Sequence, residues 1–81
     1  MSEYFEILTK DLSTLLRGIG YQIVRKQRTH LRVEKMTKAG MHRMTIPHLS
    51  PLAPGTLDDI LTTVSLWNHL SKTDLLEMLK K

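Results

Sequence analysis

The chain has 81 residues, with twelve Lys and Arg against eight Asp and Glu, a formal charge of +4 and no cysteine. That length supports one domain with a thin core and leaves little room for an internal cofactor pocket. The missing cysteines exclude a disulfide framework and thiolate chemistry. No apolar run approaches the ~20 residues that span a bilayer. Met1-Ser2-Glu3 opens no basic and apolar leader, so a cytosolic protein is expected.

The first predicted element is a helix over residues 3–19, with Phe5, Leu8, Leu12, Leu15, Leu16 and Ile19 on one face. Ser2 or Thr9 would cap it, Gly18 and Gly20 would end it, and Glu3 to Thr9 is open to being a separate turn. Tyr21-Gln22-Ile23-Val24, followed by Arg25-Lys26-Gln27-Arg28, reads as the first strand and its basic extension. His30 to Glu34 alternates with period two, which turns Leu31 and Val33 inward and His30, Arg32 and Glu34 outward. Lys38-Ala39-Gly40 is a turn, and Gly40 to Ile46 a third strand with Met44 and Ile46 inward, Arg43 and Thr45 outward, ended by Pro47. Three short strands in succession predict an antiparallel meander with one face open to solvent.

Residues 47–55 hold three prolines and no charge, a stiff loop. Thr56-x-x-Asp59 then has the form of a capping box, followed by Leu57, Ile60, Leu61, Val64 and Trp67 at helical spacing. Ser71-x-x-Asp74 is a second box, with Leu70 and Leu75 as a hydrophobic staple and Leu75, Leu76 and Leu79 as the buried face of a last helix. The expected class is α+β, in the order αβββα plus a short C-terminal helix.

The charge is uneven. From Arg17 to Arg43 stand eight bases and one acid, Glu34, for a net +7; the remainder carries −3. A basic centre between acidic ends is the footprint of a polyanion binder, the alternative being a solvated strand face that resists edge pairing. Arginine predominates among Arg25, Arg28, Arg32 and Arg43, and its planar fork suits phosphate, which favours nucleic acid.

Four histidines are the candidates for proton transfer near neutrality. No pair has the i, i+4 spacing of a helical metal site. His42 and His48, if they met across the third strand and loop, would be too few for zinc, so no metal or cofactor is expected. Trp67 and His69 read as packing and polar surface. His30, between Arg28 and Arg32 on the outward side of a strand, joins a proton acceptor to cations, the two parts that metal-free RNA cleavage requires.

These residues resemble a family. Gly20-Tyr21-Gln22-Ile23-Val24-Arg25-Lys26-Gln27-Arg28-Thr29-His30 is similar to the glycine–aromatic…Arg…Gly-Ser/Thr-His signature of HicA-type mRNA interferase toxins. Thr45-Ile46-Pro47-His48 resembles their third strand, Pro54-Gly55-Thr56-Leu57-Asp58-Asp59-Ile60-Leu61 their next helix start, and Leu70-Ser71 to Leu79 their C-terminal segment. The resemblance covers about Leu12 to Leu79, and it implies one HicA-like domain with residues 1–10 as an N-terminal extension. It further implies a double-stranded-RNA-binding-domain-like fold with helices on one face of a three-stranded antiparallel sheet. Ribonuclease activity on mRNA and a HicB-type antitoxin partner are implied as well. The family's catalytic histidine falls on His30; Arg25, Lys26, Arg28 and Arg32 would grip the RNA backbone, with Thr29 holding the backbone or a phosphate. Two departures stand out: Arg28 replaces the family's Gly before the Thr-His pair, and residues 62–69 are longer than in compact members.

Overall fold

The computed structural model describes residues 9–48 and 52–80. Elements follow in the order α1 (Thr9–Gly18), β1 (Gln22–Lys26), β2 (His30–Thr37), β3 (Gly40–Pro47), α2 (Pro54–Asn68) and α3 (Lys72–Lys80). The α+β class and the predicted element order hold. Phe5, Leu8 and the proposed Ser2 cap lie outside the described residues.

The strands form one antiparallel sheet in the order β1-β2-β3. Leu31, Val33 and Ile46 face a single core together with Leu12, Leu15 and Leu16 of α1, Leu57, Ile60, Leu61 and Val64 of α2, and Leu75 of α3. All three helices therefore cover the same side of the sheet. The alternation of side chains along β2 and β3 leaves the other side to solvent, as Arg32, Met36, Met41, Arg43 and Thr45 are exposed.

Two helix starts differ in how they are made. α2 does not use Thr56-x-x-Asp59: it begins three residues earlier than that box would start it, at Pro54, with Ala53 as N-cap and no side-chain cap. Proline at the first helical position brings a φ already suited to the helix and no amide hydrogen to satisfy, so the box is redundant. At α3 the hydroxyl of Ser71 does accept from the backbone N–H of Asp74, at 3.0 Å, and Lys72 pairs with Asp58 of α2.

α2 ends at His69, the sole non-glycine residue with positive φ among those described (φ 54°, ψ 39°), and its N–H bonds back to the Ser65 carbonyl. Left-handed backbone is strained for a side chain and free for glycine. His69→Gly is therefore expected to stabilise the fold by about 0.5–1 kcal/mol, read as a higher urea midpoint at unchanged m-value.

A polar cluster closes the end of the core near Gly20. The Asn68 side-chain amide donates to the Tyr21 hydroxyl (2.9 Å) and to the Val64 carbonyl (2.9 Å), while Lys35 Nζ donates to Asn68 Oδ1 (2.5 Å). Tyr21 and the buried His42 meet at 2.6 Å through Oη and Nδ1. The His42 ring stacks on Trp67, with centroids 4.6 Å apart and planes 7° from parallel. With the Asn68 N–H on its oxygen, Tyr21 can give its own proton to His42 Nδ1, an arrangement that suits a neutral imidazole protonated on Nε2. Burial holds the His42 pKa below the usual histidine value and pushes that of Tyr21 up, the latter against an opposing effect of Asn68.

Candidate nucleic-acid interface

The open face is defined by register. Across β2 and β3, His30 lies opposite Pro47, Arg32 opposite Thr45, Glu34 opposite Arg43 and Met36 opposite Met41. Across β1 and β2, Gln22 lies opposite Glu34 and Arg25 opposite Arg32. Residues directly opposed across a ladder share a face, so Gln22 and Arg25 of β1, the four named residues of β2 and the four of β3 make up this surface.

Arg25 reaches it through an irregularity. Ile23 pairs with Val33 on the core side, yet Arg25, two residues on, pairs with Arg32 on the open side, with Val24 as the extra residue of a β-bulge. In a regular strand Arg25 would have followed Ile23 towards the helices. Instead two arginines stand opposed across the ladder, both exposed, without an ion-pair partner among the described residues. Like charges in directly opposed positions destabilise a sheet. The third arginine of the face differs, as Arg43 Nε contacts Glu34 Oε2 at 3.3 Å.

His30 opens β2 at the same end of the sheet as Arg25 and Arg32, and Arg32 is two residues further along the same face, about 7 Å away. Its ring Nδ1 lies 3.0 Å from Thr29 Oγ1. A hydroxyl can donate to or accept from that nitrogen, so Thr29 supports either tautomer and engages Nδ1 rather than Nε2. Backbone bonds hold the loop that carries the pair: Gln27 N–H donates to the His30 carbonyl, and His48 N–H to the Thr29 carbonyl, both at 2.9 Å. Behind it, Thr9 Oγ1 of α1 donates to the Pro47 carbonyl at 2.8 Å.

The basic segment does not act as one patch. Lys26 stands opposite Leu31, in the register of the helix-covered side, although its side chain is exposed at the sheet edge. Lys35 is engaged with Asn68, Arg17 ends α1 and Lys38 occupies the β2–β3 turn. Of the +7, therefore, Arg25, Arg32 and Arg43 populate the open face, and Arg28 sits exposed in the adjoining loop. Arg28 keeps negative φ, so this loop accepts a side chain where the resembled family has Gly. His42 and His48 lie at opposite ends of β3, one buried and one exposed, and do not meet. Among the described residues, no three His, Asp or Glu side chains gather as a metal-ligand set, and no helix is long and apolar enough to cross a membrane.

Sequence reasoning overlooked the far end of the open face. There Gly20, Gln22, Glu34, Lys35, Met36 and Met41 line an open groove of about 340 Å³. Exposed methionines gave no periodic signal, and only the register reveals that Met36 and Met41 are neighbours. Comparison with protein-family models, with curated proteins and with solved structures finds no match to this chain.

Proposed function

We propose that this protein is a HicA-type toxin, a metal-independent endoribonuclease that binds flexible mRNA on its open sheet face in the cytoplasm and cleaves it. His30 is the general acid/base, and Thr29 orients its ring. Arg25, Arg28 and Arg32 neutralise the phosphate backbone, with Lys26 adding charge from the sheet edge. A HicB-type antitoxin that covers the same face would keep the enzyme silent. The observation that carries this reading is the opposed pair Arg25 and Arg32 next to His30: a polyanion between the two guanidinium groups relieves a repulsion that the free fold sustains.

The chemistry follows from the parts. Nε2 of His30 takes the proton of a 2′-hydroxyl as that oxygen attacks the adjacent phosphorus. The P–O5′ bond breaks, the 5′-oxygen leaves with a proton from solvent, and a 2′,3′-cyclic phosphate remains on the upstream fragment. The arginines offset the charge that builds on the phosphoryl oxygens. RNA incubated with the purified protein in EDTA should be cut, with products that depend on the 2′-hydroxyl. Intact RNA at large protein excess would overturn the enzyme assignment in favour of a non-catalytic RNA binder. One observation favours that second reading: among the described residues, Thr29 alone makes a side-chain hydrogen bond to His30, and no second acid or base backs it.

The arginine pair gives a separate test with two readouts. Replacing both Arg25 and Arg32 by Gln should lower RNA affinity about tenfold at physiological salt and flatten the salt dependence by about 0.7 per lost phosphate contact on logarithmic axes. The same change should leave the fold as stable as before, or more so by a few tenths of a kcal/mol, because the opposed charges are gone. Affinity measured by anisotropy across a salt series, beside thermal unfolding, checks both.

A further inference from the structure

We infer that the groove at the far end of the open face is a nucleobase seat, which holds one unpaired base of the bound RNA a few nucleotides from the bond cleaved at His30. This inference rests on the ribonuclease reading above. The groove exists because the sheet is stepped: the last β1–β2 pair is Gln22 with Glu34, while β2 continues through residues 35–37 with no β1 residue beside it. Gly20, at φ +109°, gives up a side chain there, and a Cβ on it would come within 3.1 Å of Lys35 Cε. The Lys35 stem therefore lies across bare backbone as the wall of the groove while its ammonium group is occupied by Asn68.

The floor is Met36 with Met41, directly opposed and 67% and 37% exposed. Thioethers are polarizable and make favourable contacts with the faces of aromatic rings. The rim is polar. Gln22 offers an amide that can both donate and accept, and Glu34 a carboxylate of which Arg43 contacts one oxygen. A flat apolar floor with hydrogen-bonding groups at its edge suits a heterocyclic base, and the Glu34 acceptor favours one with an exocyclic amino group.

Charge complementarity and continuity point to RNA as the occupant. From His30 to Met36 the outward side of β2 runs about 20 Å through Arg32 and Glu34, with Arg25 of β1 beside Arg32 and the Glu34 carboxylate offset by its contact with Arg43. A phosphate chain held by those arginines and placed for cleavage at His30 delivers its next bases along β2 into the groove.

The test uses the whole chain and a set of 2′-O-methyl oligonucleotides, uncleavable and identical except for one abasic position moved along the sequence. Loss of one particular base should weaken wild-type binding about fivefold. Met36→Ser/Met41→Ser, with its circular dichroism matching the wild type, should weaken binding to the intact oligonucleotide by a similar factor. It should then show no further loss on the abasic one. Glu34→Gln, which keeps the floor, should change which base is preferred at that position alone. A methionine variant that binds as the wild type does, or whose loss simply adds to that of the missing base, overturns the proposal and gives the groove to another occupant such as a protein partner. If the wild type cuts RNA while either of those results is obtained, only the seat falls. If the wild type neither binds nor cuts RNA, both readings fall.

Discussion

Replacing His30 by Ala is expected to reduce RNA cleavage at least a hundredfold while RNA affinity stays within about threefold and thermal unfolding is unchanged. The separation follows from the architecture. His30 is the first residue of β2, on the open face, and its ring contributes nothing to the core formed by Leu31, Val33, Ile46 and the helices. Among the described residues its one side-chain bond is to Thr29, while Gln27 and His48 hold the loop through backbone groups that Ala retains. In the proposed reading affinity resides in Arg25 and Arg32, which the substitution leaves alone. Thr29→Val should then give a smaller loss of about tenfold in turnover with little change in KM, because it releases the ring without removing it. A His30→Ala protein that keeps its fold and still degrades RNA sinks the catalytic assignment. Equal losses of affinity and cleavage would place His30 among the binding groups instead.

Acidification is expected to draw stability from the fold through His42. Burial depresses the His42 pKa in the folded chain, so the unfolded chain binds the proton first as pH falls. The stability that belongs to neutral His42 is complete above about pH 6.5 and is lost as pH drops below that value, through the lower folded-state pKa. One proton allows a slope of up to about 1.4 kcal/mol per pH unit in that window. The geometry explains why the charged form is resisted. Protonated Nδ1 would turn a donor towards the Tyr21 oxygen, which already receives the Asn68 N–H, and would strand the Tyr21 proton. An imidazolium would also stand directly across the ladder from Lys35, whose ammonium is committed to Asn68. His42→Gln should flatten the stability profile below about pH 6.5, and a profile as steep as that of the wild type would refute the assignment. Tyr21→Phe strands His42 Nδ1 and one Asn68 N–H together, and should cost about 1–3 kcal/mol at neutral pH, measured by urea unfolding.

Much of this fold can be read from residue order. Leu31, Val33 and Ile46 were placed inward by period two, and all are buried; the α2 and α3 faces follow from the spacing of their leucines. Three things could not be read. Lys35 falls in an inward register and looks like one more solvated base, whereas its partner Asn68 lies 33 residues away on α2. Tyr21 and His42 are a pair made by the sheet and capped by an α2 indole, with no local signature of either contact. The face of Arg25 could not be read for a different reason: alternation counts residues, and the bulge at Val24 breaks the count. At the candidate site, His30 and Thr29 are adjacent in sequence and so stood out together. The opposition of Arg25 to Arg32, and the neighbouring methionines, are properties of register alone.

The bulge at Val24 also bears on how this chain tolerates changes of length. On β1, residues 23 to 25 span what residues 33 and 32 span on β2, so Val24 is surplus to the pairing on either side. Deleting it would leave Ile23 across from Val33 and Arg25 across from Arg32, now in an unbroken ladder. Deleting Ile23 or Arg25 instead would forfeit a core contact or a surface cation. Within this strand the tolerance for losing a residue is thus confined to one position, and a shortened variant that removes Val24 keeps both the packing side and the charged side of the sheet in phase.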